Sequence, residues 1–399
     1  MKGKIKLLFV IESLTLAGSE KSLIALLSNI DPALYEVDLQ LLHYGGELEQ
    51  FLPNYISVLP PLPYTLFARK SFAENLKSFN INFIKAKITY SLGLRLKKGN
   101  HSEIAKLYWQ SVQKSFAIQV KKYDVAIAYA QGVPTFYVMD KIKAKKKVTW
   151  VNANVQFTNS NMSFQKRYYA CYDYIVPVSK INQDHFTNIF PDLSEKLWLI
   201  ADIIDYANIS KMANLFEPDF KKDTFNILTV ARLEKGMKGL DITIETCRKL
   251  RDKEIVFHWY ILGKGSFQQE IEGFIKKHKL ENHLTLLGTS PNPYPYFKAA
   301  DLYVQTSRSE SYGISIAEAR LLNTPVVTTR FDTVFMQMVD GKNGLVTDMN
   351  AQAVADAIER IMNDHVLYES IVEYLKNEEK ENTETVKRFE AMINQLNPI

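Results

Sequence analysis

ADLYVQTSRSESYGISIAEARLL, residues 300–322, combines the marks of a strand, a turn and a helix in one short stretch. An apolar run ends at Gln305, the turn contains Gly313, and a helical pattern follows it. Two carboxylates, Glu310 and Glu318, lie on either side of the glycine. A helix that starts after a strand leaves backbone N–H groups unpaired, and these groups bind anions, phosphate above all. We therefore expect the chemistry of the chain to lie in this segment.

Short apolar or β-branched runs alternate with amphipathic stretches along the whole chain. Such alternation predicts parallel sheets with helices on both faces. The predicted strands of a first series are Ile5–Ile11, Val37–Leu42, Val125–Ala128, Val148–Val151 and Tyr174–Val178. Those of a second series are Phe225–Val230, Val256–Leu262, Leu284–Leu287, Leu302–Gln305, Val326–Thr328 and Gly344–Val346. The predicted fold class is α/β, with two Rossmann-like doubly wound domains.

The length of the chain also indicates two domains, because 399 residues are too many for one ordinary core. A polar stretch at 203–223, which contains Pro218, looks like a linker. We predict an N-terminal domain over residues 1–203 and a C-terminal domain over 204–375. Residues 376–399 are predicted to form a charged terminal helix, with its packing on the N-terminal domain left open.

The composition is that of a globular protein, with 46% hydrophobic and 23% charged residues. The first apolar run ends at Glu12, too early for a secretory signal or a spanning helix. Cys171 and Cys247 stand far apart without clustered histidines, which indicates a reducing cytosol and no zinc site. We expect both cysteines to be small buried hydrophobes. The predicted location is cytoplasmic, with peripheral attachment to the inner face of the cell membrane left open.

Residues 64–122 carry many cations, few acids and interleaved aromatic side chains. The cations are Arg69, Lys70, Lys77, Lys85, Lys87, Arg95, Lys97, Lys98, Lys106, Lys114, Lys121 and Lys122. Basic helices with aromatic faces can lie on an anionic membrane surface, at roughly 1 kcal/mol per cation near the lipid. Core helices with solvated outer cations explain the pattern equally well. Nucleic acid is not an expected partner, because no nucleic-acid-binding motif accompanies the charge.

Ligands of open α/β sheets bind outside the carboxyl ends of the strands. The first predicted strand leads to a loop with Gly18, which would let backbone approach a phosphate or sugar, although turn glycines without a ligand are equally common. The first strand of the second series leads to Arg232 and Lys238 beside glycines. Each cation could bind phosphate, at about 1.5–3 kcal/mol, or form a surface ion pair. The next strand ends near Gly263, in a stretch that lacks the first glycine of a P-loop and its spacing.

The order of these motifs along the chain is more specific for a protein family than any one motif alone. It runs through Ala231-Arg232-Leu233, Lys238-Gly239, Leu262-Gly263-Lys264-Gly265-Ser266, Gly288, Asn292-Pro293-Tyr294, Glu310, Glu318, Pro325-Val326-Val327 and Asp340-Gly341-Lys342-Asn343-Gly344. On these residues the chain resembles the retaining glycosyltransferases of the GT-B architecture, family four. The resemblance is strong across roughly Ile200–Asp348 and weaker over the amino-terminal half. It implies two Rossmann-like domains that face a central cleft.

The resemblance also implies roles for the matched residues. Arg232 and Lys238 would grip the donor diphosphate and stabilise the charge that grows on it as the sugar leaves. Glu310 would hold the sugar and the distal phosphate. Glu318 would hold the ribose hydroxyls, or else pair within its own helix. Further donor contacts are expected from Gly18, Gly263, Asn292, Tyr312, Gly313 and Ile314. No metal and no cofactor are implied, since the nucleotide-sugar is a substrate.

One position departs from the family pattern. Family members often have Trp-x-His at the end of an amino-domain strand, where the histidine contacts the donor sugar. The corresponding run here is Trp150-Val151-Asn152-Ala153-Asn154. An amide can donate and accept hydrogen bonds, but it cannot change charge near neutral pH. We expect Asn152 in the catalytic site; His43 could substitute, although a structural role for His43 is the simpler expectation.

The function that the resemblance implies is sugar transfer. The enzyme would be a metal-independent, retaining hexosyltransferase that uses a nucleotide diphosphate sugar, with UDP favoured by family frequency. Its acceptor would be a hydroxyl of a glycan or lipid-linked molecule, in cell-surface polysaccharide or glycoconjugate synthesis. A catalytically silent GT-B subunit that recognises glycan for an active partner is the alternative, motivated by Asn152. A sugar-nucleotide epimerase ranks third. A glycosidase with Glu310 and Glu318 as its paired carboxylates is rejected, because the nearby cations suit a nucleotide-sugar better.

Overall fold

The computed structural model describes residues 3–70, 80–96, 100–153, 157–310, 312–380 and 383–397. The chain divides into two compact units. Unit 1 comprises residues 1–203 and 383–399, and unit 2 comprises residues 204–382. Each unit contains one six-stranded sheet.

Unit 1 is built on a parallel sheet with the strand order β3-β2-β1-β4-β5-β6. Its strands are β1 (Ile5–Ile11), β2 (Tyr35–Leu41), β3 (Ser57–Val58), β4 (Lys122–Ala128), β5 (Lys143–Val151) and β6 (Tyr174–Pro177). Its helices are α1 (Gly18–Asn29), α2 (Pro63–Arg69), α3 (Ile81–Leu96), α4 (His101–Val112), α5 (Val133–Lys141), α6 (Asn159–Tyr169), α7 (Lys180–Ile189) and the terminal helix (Thr383–Leu396).

Unit 2 is built on a second parallel sheet, with the order β12-β11-β10-β7-β8-β9. Its strands are β7 (Phe225–Val230), β8 (Phe257–Leu262), β9 (Leu284–Gly288), β10 (Leu302–Gln305), β11 (Val326–Thr329) and β12 (Gly344–Thr347). Its helices are α8 (Tyr206–Met212), α9 (Leu240–Asp252), α10 (Gln268–Lys277), α11 (Tyr294–Ala299), α12 (Ile314–Leu321), α13 (Ala351–Asn363) and α14 (His365–Asn377).

Burial on both faces explains why the strands are continuous apolar runs. In β1, Leu7 and Phe9 belong to one hydrophobic cluster, while Leu8 and Val10 belong to a second. Successive side chains of a strand point to opposite faces, so the two clusters lie on the two sides of the sheet. Helices on one side only would have required a polar residue at every second position. The predicted doubly wound α/β class is confirmed for the described residues.

The two sheets share one topology. Counted from the first strand of each unit, both orders are 3-2-1-4-5-6, the order of dinucleotide-binding folds. In such a sheet the order in which strands are added reverses between the first and fourth strands, although all strands stay parallel. Ligands bind at this junction, at the carboxyl ends of these two strands. The junction lies between β1 and β4 in unit 1 and between β7 and β10 in unit 2. The loops that follow these four strands are therefore the places where a site is expected.

Three predicted strands, Ile5–Ile11, Phe225–Val230 and Leu302–Gln305, have the predicted bounds, and the others differ by one to five residues at an end. Strand β3 was not predicted, because two exposed residues carry no periodic signal.

Two predicted segment boundaries are corrected by the structure. The stretch 203–223 is not wholly a linker, because α8 lies in it and buries Ile209 and Met212. Residue 376 lies inside α14, because Ile371 and Leu375 are buried and continue the apolar side of that helix. The terminal helix begins instead at Thr383.

The terminal helix completes the core of unit 1. Phe389, Met392 and Ile393 are fully buried in the same cluster as β1. The ring centroid of Phe389 lies 6.0 Å from that of Phe9 and 6.4 Å from that of Trp150. Residues far apart in sequence therefore share one core.

The aromatic side chains of residues 64–122 are largely core residues. Tyr64, Phe67, Trp109 and Phe116 are buried in the second cluster of unit 1. Several predicted cations, Lys77, Lys97 and Lys98, lie outside the described residues, as does Asn154. Among the helices that the structure describes, none combines the length and the apolar character required to cross a bilayer.

The two cysteines differ in environment. Cys247 is buried in α9, as predicted. The prediction for Cys171 is wrong, because this residue is exposed in the turn after α6. A short turn between a helix and a strand lies at the surface, where the size of a side chain does not decide its burial.

Candidate active site

The Lys238 loop, residues 231–239, follows β7 and ends at the start of α9. Gly239 is the residue before the helix and has φ of 62°, in the left-handed region. A Cβ atom at this position would lie 1.9 Å from the carbonyl oxygen of Thr306, directly after β10. The Thr306 hydroxyl also donates a 2.8 Å hydrogen bond to the Gly239 carbonyl. Glycine thus lets the Lys238 loop pack against the end of the neighbouring strand.

Glu310 lies in the loop that follows β10 and receives three hydrogen bonds on one oxygen. Its Oε1 accepts from Lys238 Nζ at 2.6 Å, Ser307 Oγ at 2.6 Å and Gln305 Nε2 at 3.1 Å. The backbone carbonyl of Glu310 also accepts a 2.9 Å bond from the Thr333 hydroxyl. The carboxylate is only 12% exposed, and Lys238 is 35% exposed. The structure therefore brings two of the predicted catalytic residues into one ion pair at the topological junction of the sheet.

A second ion pair connects the loop after β10 to the first turn of α9, directly after the Lys238 loop. The Arg308 guanidinium contacts both carboxylate oxygens of Asp241, at 2.8 and 2.7 Å. Arg308 also donates to the Gly236 carbonyl at 3.0 Å, and its backbone N–H donates to the Met237 carbonyl at 2.7 Å. The hydrogen bonds from Arg308 lower the pKa of Asp241. A bidentate guanidinium pair fixes geometry as well as charge, so it holds the Lys238 loop beside Glu310.

The turn at 312–314 starts α12. Gly313, with φ of 83°, precedes the helix, and Gln337 Nε2 donates to the carbonyls of Tyr312 and Gly313. The first backbone N–H groups of an α-helix have no partner within the helix, and such groups bind anions. Ile314 is the first residue of the helix.

Glu318 lies further along α12 and is 1% exposed. Its Oε1 accepts a 3.2 Å hydrogen bond from the hydroxyl of Tyr294. Burial and the Glu318 carboxylate raise the pKa of Tyr294 well above its usual value, so the phenol stays protonated and donates. Glu318 is therefore oriented by a side chain of α11.

Other predicted residues of unit 2 have contacts outside the Lys238–Glu310 pair. Arg232 is exposed, and its guanidinium lies 3.7 Å from Glu234. Gly263 follows β8, where a Cβ would lie 1.8 Å from the carbonyl oxygen of Ala231. Asn292 donates to the Met212 carbonyl at 2.9 Å and accepts from the N–H of Tyr294 at 3.3 Å. These contacts anchor the Asn292 side chain in its turn; its predicted contact with a donor stays a prediction.

The predicted residues of unit 1 follow three different strands of its sheet. Asn152 follows β5, and its side-chain amide donates to the Tyr129 carbonyl at 2.8 Å. Its backbone N–H donates to Gln131 Oε1 at 2.8 Å. The buried Oδ1 of Asn152 accepts no hydrogen bond from any residue that the structure describes. Gly18 is the first residue of α1, and His43 is exposed beyond β2. The amide of Asn152 is thus held with its oxygen available as an acceptor.

Sequence reasoning missed several residues that organise the site. Gln305 carried a weak signal, because a polar residue at the end of a buried strand is unusual. Ser307 and Arg308 belonged to the quoted motif but received no role. Thr333 carried no signal, since its contact with Glu310 crosses from another loop. Among the described residues, no three His, Cys, Asp or Glu side chains are grouped closely enough to hold a metal ion.

Comparison with known proteins identifies the class of unit 2. Residues 211–378 match the family described as glycosyl transferases group 1. The chain carries a group 1 glycosyltransferase domain. That domain contains both ion pairs, Lys238–Glu310 and Arg308–Asp241, and all of α12.

Named relatives of this glycosyltransferase domain occur in bacteria and archaea. One is the N-acetylgalactosamine-N,N'-diacetylbacillosaminyl-diphospho-undecaprenol 4-alpha-N-acetylgalactosaminyltransferase of Campylobacter jejuni, 28% identical over 197 residues, which are 49% of this chain and 52% of that protein. Another is the poly(ribitol-phosphate) alpha-N-acetylglucosaminyltransferase of Staphylococcus aureus, 31% identical over 134 residues, 33% of this chain and 27% of that protein. An uncharacterized glycosyltransferase of Methanocaldococcus jannaschii is 26% identical over 168 residues, 41% of each chain. The chain thus spans about half or less of these relatives' lengths.

Solved structures extend the likeness to both units. Anabaena HepE, in complex with UDP and glucose, has a TM-score of 0.65 at 19% identity and covers 98% of this chain and 97% of its own. A mutant of S. aureus TarM, in complex with fondaparinux, alpha-GlcNAc-glycerol and UDP, has a TM-score of 0.68 at 15% identity, with 98% and 100% covered. The fold of the chain is GT-B.

Proposed function

We propose that this protein is a retaining glycosyltransferase that moves a sugar from a nucleotide diphosphate donor to a hydroxyl of a glycan or lipid-linked acceptor. The observation that supports the proposal most is the Lys238–Glu310 ion pair at the junction between β7 and β10. UDP is the preferred nucleotide, since HepE and TarM were both solved with UDP. The corresponding process is cell-surface polysaccharide or glycoconjugate synthesis, and the corresponding location is the cytoplasm or the inner membrane face.

The chemical step forms one bond and breaks one. The acceptor oxygen bonds to the anomeric carbon as the bond from that carbon to the diphosphate oxygen breaks. The acceptor proton passes to an oxygen of the leaving diphosphate, on the face where the leaving group departs, so that configuration is retained. Negative charge grows on the diphosphate, and a preorganised cation stabilises this charge more in the transition state than in the ground state. Lys238 is that cation, with Arg232 as a second one.

The other predicted residues each contact a different part of the donor. Glu310 holds the sugar and orients Lys238, and the N-terminus of α12 at Gly313 faces the distal phosphate. Glu318, oriented by Tyr294, holds the ribose. Asn152 offers an amide oxygen to a sugar hydroxyl, in place of the family histidine. Because cations and helix N–H groups neutralise the diphosphate, the proposed reaction needs no metal ion.

The test compares nucleotide release by the natural chain and by variants of one loop. UDP-, GDP- and ADP-sugars are supplied with and without candidate glycans, in the presence and absence of EDTA. Lys238→Met is expected to lower kcat/KM by about 100- to 1,000-fold, the usual effect of losing one such electrostatic contact. Lys235→Met is the matched control, because Lys235 lies in the same loop but pairs with Glu270 at 2.6 Å. Glu310→Gln should lower kcat/KM by a similar factor, because Glu310 pairs with Lys238.

Each outcome decides between functions. Release that requires one donor, rises with an acceptor and depends on Lys238 but not on Lys235 supports the transferase. Donor binding without turnover under any acceptor favours a silent subunit instead. Release of an isomerised sugar nucleotide without acceptor favours an epimerase. The anomeric coupling constant of the product, measured by NMR, tests retention, and an inverted product contradicts the proposed geometry.

A further inference from the structure

Helix α3 in unit 1 has a solvent-facing side rich in large aliphatic residues. The exposed ones on this side are Ile81, Ile88, Leu92 and Leu96, with Ile81 77% and Leu96 85% exposed. Large aliphatic side chains grouped on one exposed surface commonly mark a place where a partner or a membrane binds. Here the outer side chains meet water unless a partner covers them.

The inner side of α3 is firmly packed. Ala86 is buried, and the ring of Tyr90 meets that of Tyr108 edge-on at 5.1 Å. A Cβ at Gly93 would lie 2.6 Å from a methyl group of Leu107, so α3 and α4 approach closely there. The outer side is therefore a fixed surface of unit 1.

Six exposed residues of α3 lie on one stripe. They are Ile81, Lys85, Ile88, Leu92, Arg95 and Leu96, called the α3 stripe below. The first five recur at intervals of four, three, four and three, which matches 3.6 residues per turn. The stripe is about 22 Å long at 1.5 Å per residue. It presents four aliphatic side chains with a cation near each end.

The charge of the helix is one-sided. Helix α3 contains Lys85, Lys87 and Arg95 and no aspartate or glutamate. Lys87 Nζ is directed to the end of α2, where it donates to the carbonyls of Ala68 at 3.1 Å and Lys70 at 2.7 Å. Lys85 and Arg95 belong to the stripe, so the surface that covers it must accept aliphatic side chains and carry negative charge.

We propose that the α3 stripe docks unit 1 on the surface of an anionic lipid bilayer. The aliphatic side chains enter the boundary between headgroups and acyl chains, and the two cations reach the lipid phosphates. A nucleic-acid backbone satisfies the cations but not four aliphatic side chains, because such interfaces are polar. A second copy of the chain would bring like charges to the same contact, without an acid on the helix to pair them. This inference stands independently of sugar transfer.

The test is cosedimentation of the full chain with vesicles. Vesicles of mixed phosphatidylglycerol and phosphatidylcholine are compared with vesicles of phosphatidylcholine alone. The double variant Lys85→Glu/Arg95→Glu is expected to lower partitioning to the anionic vesicles by roughly 30-fold or more, and added salt should weaken binding of the natural chain. Ile88→Ser/Leu92→Ser, which leaves the charge unchanged, is expected to lower it by roughly tenfold or more.

Matched controls lie on unit 2. Lys276→Glu/Lys277→Glu reverses two exposed cations in the last turn of α10, and Val366→Ser removes an exposed aliphatic side chain from α14. Both should bind like the natural chain, with all variants equally folded by circular dichroism. The proposal is overturned if the natural chain does not sediment with anionic vesicles, or if stripe and control variants bind alike. It is also overturned if the stripe variants only dissociate a dimer, measured by sedimentation equilibrium without lipid.

Discussion

Replacing Gly239 by alanine should displace the Lys238 loop through backbone contact alone. The new Cβ would lie 1.9 Å from the Thr306 carbonyl oxygen, whereas real Cβ contacts stay beyond 3.0 Å, so the two segments must separate by more than 1 Å. Alanine in the left-handed region also costs about 1–2 kcal/mol, and overpacking adds about 1–3 kcal/mol. A displacement of about 1 Å at a catalytic group lowers rates by about 100-fold. We expect a loss of about 2–5 kcal/mol in the free energy of unfolding and about 100-fold in kcat/KM.

Gly236 in the same loop provides the control. Its φ is 99°, and a Cβ there meets no atom within 4 Å. Gly236→Ala therefore carries backbone strain without the collision. Urea unfolding gives the stability of both variants, and nucleotide release from the preferred donor gives their kcat/KM. If Gly236→Ala is as destabilised and as slow as Gly239→Ala, then the close approach to Thr306 does not position Lys238, and the reasoning fails.

Three further predictions concern charge. Arg308→Gln and Asp241→Asn should each lower kcat/KM by about tenfold. Each should lower the free energy of unfolding by less than about 1 kcal/mol, because both groups are largely exposed. A double variant that is no slower than either single variant identifies a shared positioning role, and additive losses contradict it. Burial lowers the pKa of His258 to about 4, so between pH 6.5 and 4 the unfolded chain binds a proton that the folded chain does not. The stability of unit 2 should therefore fall by about 2–3 kcal/mol as the pH falls through that range, and His258→Gln should remove the slope in urea titrations. Burial raises the pKa of Asp202 from 3.8 to about 6, so between these pH values the folded chain binds a proton that the unfolded chain does not. The stability of unit 1 should fall by about 3 kcal/mol as the pH rises from 4 to 6. Hydrogen exchange measures this slope, and Asp202→Asn should remove it. A slope that is unchanged in Asp202→Asn would show that another group causes it.

The strands were predictable because their signal is local. β1, β7 and β10 are buried on both faces, so a short run of apolar residues marks each of them without any knowledge of its neighbours. The Lys238 and Glu310 loops could be placed at one edge of a sheet for the same reason, since polar residues follow two strands whose carboxyl ends meet.

The remaining contacts depend on the tertiary fold. Thr333 reaches Glu310 from a loop after another strand, and Asn292 is anchored by the end of α8. Such pairings between distant residues leave no periodic trace in the sequence. The start of the terminal helix was predicted wrongly for a related reason. The charged residues predicted a helix from residue 376, but that residue belongs to α14, and the terminal helix packs Phe389, Met392 and Ile393 into the core of unit 1.

The position of the terminal helix has a consequence for biosynthesis. Unit 1 is interrupted by the 179 residues of unit 2, from 204 to 382, and its core closes only when Phe389 and its neighbours arrive. A ribosome adds about 5–20 residues per second, so the delay is roughly 10–35 s. During translation unit 2 can finish folding first, while the surface around Phe9 and Trp150 remains uncovered. A chain that ends before Thr383 lacks Phe389, Met392 and Ile393, so the core of its unit 1 stays open.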